Sequence, residues 1–401
     1  MQLVERHIVN NSEFYDLCVK AKNLYNQSLY YWRQSIFGNI QYFSEYELTG
    51  LFAEYKEENY ISLPAQTSQQ IIKLLFKNIK SWQKAKKEYE KNPSKFLGRP
   101  KFPKYKKETS IALFTSQQVK LKDGYISFPK MTNLPKIKTK VDNICQVRII
   151  PNCDHFVVEI VYEKQEQKMQ EYNGNWMGID LGLNNLASCS TKESGIIYNG
   201  KQIKSINNFY NKRKARLQSL LPVGPFSSKR VKRLTFKRNN KVNNFIHQTS
   251  KQIISHAKRE NITKIIIGNN ANWKQEINLG KNTNRNFVSI PHSTLIEKIK
   301  YKGLMDGIEV LVTQEAYTSK CSALDLEPIQ KHDKYMGKRK KRGLFVTATG
   351  KLVNADINGS LNIARLGLSV TGNEIEISDS VLRAALAPKI ISVLTHKTNN
   401  N

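Results

Sequence analysis

The stretch WMGIDLGLNN, residues 176–185, decides the fold prediction. It contains a short apolar run that ends in a carboxylate, Asp180, and two more strand-like pieces follow at 185–190 and 194–199. Further along, ITKIIIG (262–268) is a continuous β-branched run between turn residues, which is typical of a fully buried strand. These segments predict a sheet with a buried centre.

The elements after this sheet extend the pattern to the end of the chain. The periodicity predicts them at 201–258 (basic helices), 262–268 (strand), 291 onward (helix), 307–313 (strand), 319–350 (basic, with glycines) and 354 onward (helix). Three strands, then strand–helix–strand and a closing helix, is the order of an RNase H-like fold. After Gly367 the chain turns polar, and its end, THKTNNN, is expected to fray.

The first half of the chain shows a different pattern. Residues 1–10 alternate apolar and polar side chains, and helical spacing begins near Ser12 and returns over 65–91, where lysines surround an apolar face. A basic segment broken by two prolines, 96–107, follows. Strand-like runs then occupy 109–114, 117–128 and 146–163. The pattern predicts a β-domain interrupted by a helical insertion.

The composition restricts the class of partner. Lys and Arg number 64 against 33 Asp and Glu, a formal net charge of +31. A compact fold with that charge repels itself unless a polyanion compensates it, so a nucleic acid is the expected partner. No run of 18 apolar residues and no apolar signal-peptide core is present, which predicts a cytoplasmic protein without a membrane partner. No protein partner is indicated.

The five cysteines indicate neither a disulfide framework nor a metal site. They are scattered and form no C-x-x-C pair, so they are expected to be reduced thiols, and no zinc is predicted. They are Cys18, Cys145, Cys153, Cys189 and Cys321.

Two carboxylates fall where RNase H-type chemistry needs them. Such nucleases hold two Mg²⁺ ions (or Mn²⁺) between carboxylates from separate elements, and the ions activate water and stabilise the leaving oxygen. Asp180 ends a buried strand, and Asp356 lies in the first turn of the last helix. Singly, the first is typical of a turn and the second of a helix cap. Their joint presence in this order of elements favours a shared metal site.

Several motifs resemble one known family. GIDLGLNN (178–185), YTSKCS (317–322) and NADINGSLNIAR (354–365) look like the RuvC-like nuclease core of transposon-encoded TnpB (OrfB) proteins, which are compact ancestors of type V CRISPR effectors. Upstream, LYNQSLYYWRQ (24–34), GRPKFPKYK (98–106) and HQTSKQI (247–253) resemble the same family. The resemblance therefore covers nearly the whole chain.

The resemblance implies a domain plan and partners. The implied parts are a wedge-like β-domain (1–10 and 96–172), a helical recognition insertion (11–95), a RuvC-like nuclease domain (173–370) with a lid or target-binding loop (319–350), and a C-terminal tail (371–401). The family binds a guide RNA transcribed from the transposon end and recognises a double-stranded DNA target beside a short motif. Its guide pairing reads the target sequence.

The chain departs from the common family pattern in two ways. The zinc-ribbon cysteines that usually precede the last helix are missing, and only Cys321 remains beside the basic stretch KHDKYMGKRKKRG. A lid there is expected to be ordered by packing or by nucleic acid. The second departure is the middle glutamate, usually at the end of the fourth strand, where this chain has Gly268.

Three explanations of the missing glutamate stay open. Glu315, just past the fifth strand, is the preferred substitute, because adjacent strands lie about 4.8 Å apart and its side chain can curl inward. A similar relocated glutamate is known in some TnpB relatives and in the eukaryotic Fanzor proteins. Glu276 is the second choice, and the third explanation is a nuclease that no longer cuts. In the preferred case Asp180 contacts both ions, and Glu315 and Asp356 each complete one.

Basic runs interleaved with aromatic residues are expected to contact nucleic acid. Lysine-rich runs with Trp and Tyr suit phosphate contacts combined with stacking on unpaired bases. The expected contact residues are Lys77, Lys80, Trp82, Arg99, Lys101, Lys104, Tyr105, Lys229, Arg230, Arg233, Lys237, Arg238, Lys338, Arg339 and Arg342.

These observations lead to a first and a second hypothesis of function. The first is an RNA-guided, Mg²⁺-dependent DNA endonuclease that helps to retain its transposon by cutting the sites that the element has left. The second is a nuclease-inactive, RNA-guided DNA-binding protein that acts as a repressor. A plain structural RNA-binding protein accounts for the charge but not for GIDLGLNN together with NADING.

Overall fold

The chain folds as two compact units, Met1–Lys164 and Gln165–Asn401. The structure is a computed structural model that describes residues 1–38, 43–222, 227–269 and 290–393. Among these residues no helix is both long and apolar enough to cross a lipid bilayer.

The N-terminal unit combines a helical segment with antiparallel strands. Its elements are β1 (Gln2–Val9), α1 (Ser12–Phe37), α2 (Glu45–Glu54), α3 (Glu58–Ile61), α4 (Ala65–Lys91), β2 (Ala112–Thr115), β3 (Lys120–Lys122), β4 (Tyr125–Ser127), β5 (Ile137–Lys138), β6 (Gln146–Asn152) and β7 (His155–Glu163). The larger sheet has the order β1-β7-β6-β2, and the smaller one β3-β4-β5.

The local sequence explains where these elements begin and end. The Asn11 side chain accepts a hydrogen bond from the Glu13 N–H and caps α1. Helix α4 has the predicted bounds, and it buries Ile71, Leu75 and Ile79 while its lysines stay at the surface or partly exposed. The predicted hairpin at 146–163 is confirmed as β6 and β7.

The C-terminal unit is an α/β fold around a six-stranded sheet. Its elements are β8 (Trp176–Leu181), β9 (Asn185–Ser190), β10 (Gly195–Asn199), α5 (Lys201–Ser219), α6 (Lys229–Arg259), β11 (Lys264–Gly268), α7 (His292–Met305), β12 (Glu309–Thr313), β13 (Lys338–Lys341), β14 (Leu344–Val346), β15 (Leu352–Asn354), α8 (Ala355–Ser369), α9 (Asp379–Leu386) and β16 (Lys389–Ile391). The sheet order is β12-β11-β8-β9-β10-β16.

Strand β8 lies near the middle of this sheet and carries Asp180. It pairs in parallel with β11 and antiparallel with β9, and β11 in turn pairs in parallel with β12. The buried run predicted at 262–268 is confirmed, since every residue of β11 is buried. The strand order therefore brings the ends of β8, β11 and β12 to one edge of the sheet.

Glycines let helix α8 lie directly on the two central strands. A Cβ atom on Gly178 of β8 would overlap the carbonyl oxygen of Ser360 in α8, and one on Gly367 of α8 would overlap the Ile266 side chain of β11. Only glycine therefore permits this approach of helix backbone to strand. The close packing fixes the distance between α8 and the carboxylate on β8.

The segment after Gly367 contains structure that the sequence analysis did not anticipate. Helix α9 begins at Ser378, whose hydroxyl accepts from the Val381 N–H, and it buries Val381 and Ala385. Strand β16 then pairs in parallel with β10 and extends the sheet. The terminal THKTNNN lies outside the described residues.

A buried hydrogen-bond network fastens the end of α6 to the turn between β9 and β10. The Glu260 carboxylate accepts from Thr191 Oγ1 at 2.6 Å and from Ser194 Oγ at 2.7 Å, and it lies 2.7 Å from His256 Nε2. Burial raises the pKa of Glu260, but the hydrogen bonds from His256, Thr191 and Ser194 outweigh it and lower the pKa to about 2.

We expect the Glu260 network to stabilise the fold in a pH-dependent way. Because the folded pKa is depressed from an ordinary 4.5, the stabilisation is fully present above about pH 4.5 and is lost as the pH falls towards 2. Glu260→Gln should lower the free energy of unfolding at pH 7 by about 2–3 kcal/mol. Urea unfolding at pH 7, 5 and 3.5 measures it.

The matched control is Glu193→Gln, since Glu193 is exposed on the same turn. It should unfold like the parent chain at all three pH values. A difference between the parent and Glu260→Gln that stays constant from pH 7 to 3.5 would contradict the assignment.

Candidate active site

Asp180 lies on β8, half-buried and opposite Ser188 of β9. Its carboxylate faces α8 at Gly359, where a Cβ atom would lie only 2.9 Å from Asp180 Oδ2. The glycine in the NADING stretch therefore leaves the space that this carboxylate occupies. The predicted position of Asp180 near the end of a strand in the sheet interior is confirmed.

Asp356 lies in the first turn of α8, as predicted. The Asn354 side chain caps this helix by accepting from the N–H groups of Asp356 and Ile357. The Asp356 carboxylate is thereby left for other partners. It accepts from Asn185 Nδ2 at 2.6 Å and lies 3.6 Å from the Arg339 guanidinium. A cap is thus present at this helix, but Asn354 provides it.

Glu315 follows β12 by two residues, and its carboxylate lies over the end of β11. A Cβ atom on Gly268 would lie 2.6 Å from Glu315 Oε2 and 2.5 Å from Ile363 Cδ1 of α8. Gly268 is paired with Thr313, which fixes the register of the two strand ends. The side chain from the fifth strand therefore fills the space that a side chain at the end of the fourth strand would need.

The three carboxylates influence one another electrostatically. Burial raises the pKa of Asp180 well above its ordinary value, and the negative charges of Glu315 and Asp356 raise it further. The Arg339 charge and the Leu181 N–H act in the opposite direction. Burial also raises the pKa of Glu315. Arg339 offsets the repulsion only in part, and a cation bound among the carboxylates would relieve it further.

The oxygen donors of the site are of the type that binds Mg²⁺. Carboxylate and amide oxygens are the ligands that this ion prefers, and Mg²⁺ keeps several waters and needs few protein ligands. Within the described ranges, no group of three or more His, Cys, Asp or Glu side chains is placed so that it could hold a metal ion as it stands. The second-choice glutamate, Glu276, lies outside the described residues.

A cavity of about 290 Å³ opens beside these carboxylates. Its lining combines the acidic pair with polar and basic side chains: Asp180, Gly182, Leu183, Asn184, Asn185, Ser188, Arg339, Arg342, Gly343 and Asp356. The two arginines come from the hairpin of β13 and β14. A phosphate entering this cavity would meet guanidinium groups beside the carboxylates.

The other predicted contact residues are distributed over both units. In the N-terminal unit the exposed ones are Lys77, Lys80, Arg99, Lys101, Lys104 and Tyr105, and in the C-terminal unit they are Lys229, Arg230, Arg233, Lys237 and Lys338. Trp82 is part-buried, with its ring 4.9 Å from that of Phe102 and its Nε1 3.3 Å from the Pro100 carbonyl oxygen. Arg238 donates to Asn207 at 2.8 Å. Their contacts with nucleic acid stay predictions.

Two residues of the site were not singled out from the sequence. Asn185 ends the GIDLGLNN motif and holds Asp356, and Gly359 makes room for Asp180. Both belong to motifs that carried the resemblance, so the motif was a signal for them. Their roles depend on long-range contacts, such as the one between residues 185 and 356, which a single sequence does not reveal.

Hydrogen bonds to two carboxylates, Glu327 and Asp325, order the basic stretch 319–350 before α8. Glu327 is buried, and its two oxygens accept from the backbone N–H of Ser322 at 2.6 Å and of Met336 at 2.8 Å. Asp325 Oδ2 accepts from the Ala348 N–H at 2.7 Å. These bonds join distant parts of the 319–350 stretch without a metal ligand in the described geometry.

Side chains of helix α8 donate hydrogen bonds to backbone carbonyl groups in the same stretch. Asn358 Nδ2 and Asn362 Nδ2 donate to the Cys321 carbonyl at 2.9 and 2.8 Å, and Arg365 donates to the Glu327 carbonyl at 3.0 Å. The YTSKCS loop and the stretch that follows it are therefore bound to the helix that carries Asp356.

Comparisons with known proteins agree with this picture. The family model described as OrfB_IS605, probable transposase, matches residues 159–274, and that of the Cas12f1-like TNB domain matches 292–363. TnpB-like protein ORF457 of Acidianus two-tailed virus is 26% identical over 225 residues, which cover 53% of this chain and 47% of that protein. The match thus spans about half the length of this relative.

One solved structure reaches a TM-score of 0.50 and shows a likeness of fold. The cryo-EM structure of CasPhi-2 (Cas12j) bound to crRNA covers 94% of this chain and 99% of its own at 10% identity and a TM-score of 0.50. The Cas12f1-sgRNA-target DNA complex covers 91% and 100% at 15% identity and a TM-score of 0.40. The resemblance to the TnpB family is confirmed by the family models and the viral relative, and the subgroup with a relocated glutamate stays a prediction.

We expect Glu327 to hold the basic stretch in place. In Glu327→Gln the side-chain NH₂ group faces one of the two backbone N–H groups, which then has no acceptor. Each hydrogen bond to a buried charged group is worth about 1.5–3 kcal/mol. The amides of Ser322 and Met336 should exchange with deuterium at least about tenfold faster. Hydrogen exchange with mass spectrometry measures this, and Glu374→Gln, on an exposed side chain, should change nothing. Unchanged exchange in Glu327→Gln would contradict the role.

Proposed function

We propose that this TnpB-like chain is an RNA-guided DNA endonuclease whose C-terminal unit is a RuvC-like nuclease domain. One observation carries the proposal: the Glu315 carboxylate occupies the space over Gly268, beside the strand that bears Asp180. The position that lacks the usual glutamate is thus supplied with a carboxylate from the neighbouring strand. Asp180, Glu315 and Asp356 are the proposed metal ligands.

The proposed partners are a guide RNA and a double-stranded DNA target beside a short motif. The net charge of +31 calls for a polyanion, and the exposed lysines and arginines of both units suit phosphate contacts. CasPhi-2, which has a similar fold, was solved bound to crRNA. In this proposal the N-terminal unit is the wedge-like β-domain with its helical insertion.

In this mechanism the side chains of the site have distinct tasks. Mg²⁺ bound at the carboxylates would supply an activated water and stabilise the leaving oxygen. Asn185 holds the Asp356 carboxylate through its amide N–H. Gly359 and Gly268 leave the space in which Asp180 and Glu315 lie. Arg339 and Arg342 face the cavity, where they would hold the scissile phosphate.

A second candidate function is RNA-guided binding without cutting. It is favoured because, among the described side chains, no group of three or more His, Cys, Asp or Glu residues is placed so that it could hold a metal ion. The two functions predict the same binding and differ only in phosphodiester cleavage. They are therefore separated by the experiments below.

We expect Glu315 to act through its carboxylate, so that a glutamate supplied from position 268 can partly replace it. With Mg²⁺, co-expressed RNA and a matching DNA duplex, Asp180→Asn, Asp356→Asn and Glu315→Ala should each lower the cleavage rate at least about 100-fold, since each removes an oriented charge. The double variant Gly268→Glu/Glu315→Ala should recover part of the lost rate, because the Glu315 side chain is then gone and the other close atom, Ile363 Cδ1, is the flexible end of a side chain that can turn aside.

Two control variants test whether the effect depends on the number and the position of the carboxylates. Gly268→Glu alone places a second carboxylate against Glu315 and should be slower than the parent chain. Glu276→Ala should cut at the parental rate. If Glu315→Ala cuts normally while Glu276→Ala does not, the third ligand is Glu276 and the present assignment is wrong.

We expect cutting, but not binding, to depend on a divalent cation. The complex should bind its DNA target in EDTA, and adding Mg²⁺ or Mn²⁺ should start cleavage. Electrophoretic mobility shift and product length on a denaturing gel measure the two steps. Binding with no cutting in either metal would establish the second candidate function, and guide-independent cutting after RNase treatment would refute the RNA-guided part.

A further inference from the structure

Two further cavities lie along helix α5, next to the carboxylate cavity. One, of about 510 Å³, is lined by Lys201, Lys204, Ser205, Asn208, Phe209 and Lys212. The other, of about 520 Å³, lies between α5 and α6 and shares Ser205 and Phe209 with the first. Phe209 therefore stands at the boundary of the two cavities, and lysines line both.

The first of these cavities is connected to the carboxylate site. Lys204 lines it and donates a hydrogen bond to Asn184, and Asn184 lines the cavity that contains Asp180 and Asp356. Burial, and then the charge of Arg342 in the same site, lower the pKa of Lys204. A path of polar and basic side chains thus runs from the lining of the carboxylate cavity onto α5.

Phe209 is the aromatic residue of this path whose ring is open to solvent. Its side chain is 65% exposed although it is large and apolar. The neighbouring Tyr210 is engaged within the protein: Arg238 and Lys214 lie 5.7 and 5.8 Å from its ring centre, and its hydroxyl is 3.0 Å from Thr235 Oγ1. An open aromatic ring between cations suits an unpaired base with its phosphates.

The spacing fits a short stretch of a single strand. Lys201 and Phe209 are eight residues apart on α5, which corresponds to about 12 Å at 1.5 Å per residue. About three to four stacked nucleotides span that distance at 3.4 Å each. The path is therefore long enough to hold several nucleotides before a strand reaches the carboxylates.

Resting on the proposed nuclease function, we propose that Phe209 forms a base-stacking subsite for the DNA strand to be cut. One unpaired base of that strand stacks on the Phe209 ring, and Lys201, Lys212 and Lys237 contact its phosphates. The occupant is single-stranded, because a paired base offers no free face to a side chain on the helix. It is DNA and not the guide, because the path leads into the cavity of the carboxylates.

The first test measures the affinity for single-stranded DNA in EDTA, so that cleavage plays no part. Phe209→Ala should weaken binding of the RNA-loaded chain to a fluorescent oligonucleotide about 5- to 100-fold, as loss of a stacking ring does, and Phe209→Trp should restore it. Lys212→Ala should reduce the slope of log K against log salt by about 0.7, whereas Phe209→Ala should leave the slope unchanged.

The matched control is Leu220→Ala. Leu220 is 72% exposed at the end of α5 and lines neither cavity, so this variant should bind like the parent chain. Since Phe209 is at the surface, both variants should unfold at the parental temperature. Equal affinities of Phe209→Ala and the parent chain for single-stranded DNA would overturn the proposal.

A second test locates the base independently of affinity. Single-stranded DNA with one 5-iodouracil should crosslink on irradiation within the tryptic peptide 205–212, and Phe209→Ala should abolish the crosslink while Leu220→Ala keeps it. A crosslink that persists in Phe209→Ala, or a loss of affinity confined to an RNA oligonucleotide of the same sequence, would refute a DNA subsite. The cleavage assays do not depend on these binding and crosslinking tests. A chain that binds at the subsite but does not cut is therefore distinguished from one that cuts without using the subsite.

Discussion

The close approach of helix α8 to the central strands is the constraint on which the site depends. Gly178 of β8 admits the backbone of α8, and Gly359 and Gly367 of α8 admit the side chains of Asp180 and Ile266. Asp356, Gly359 and Ile363 follow one another at helical spacing on one stripe of α8, where they meet Asn185, Asp180 and Gly268 in turn. One stripe of a single helix therefore carries Asp356, borders Asp180 and meets the glycine over which Glu315 lies.

That arrangement concentrates negative charge in a chain that otherwise carries a large positive excess. Burial raises the pKa of Asp180 and its carboxylate neighbours raise it further, so the folded state without a cation is electrostatically strained at this point. The strain is offset in part by Arg339, which lies on the exposed strand β13. Strongly perturbed carboxylates beside arginines are the arrangement from which the proposed metal and phosphate binding is inferred.

The sequence predicted most of the elements and the two aspartates, because both follow from local patterns: a buried run before Asp180, and a capped helix before Asp356. Strand adjacency predicted that Glu315 lies beside the end of the fourth strand, and its carboxylate does lie over Gly268, where a larger residue would leave no room. Its role as a metal ligand stays a prediction. Strand β16 could not be predicted, because three residues carry no periodicity and are stabilised by pairing with β10. The role of Trp82 was likewise hidden, since its ring packs against Phe102, twenty residues away.

A second stripe of α8 contacts the basic stretch 319–350. Asn358, Asn362 and Arg365 lie on it at helical spacing, and they bind the carbonyl groups of the loop that contains Cys321 and Glu327. Glu327 then joins Ser322 to Met336, two residues before the strand that carries Arg339. A carboxylate that accepts hydrogen bonds from two buried backbone N–H groups cross-links a loop as a bound metal ion does. It does so only while both donors are shielded from water. The carboxylate of Asp356 and the guanidinium of Arg339 are consequently held from opposite stripes of one helix, so a movement of α8 would displace both together.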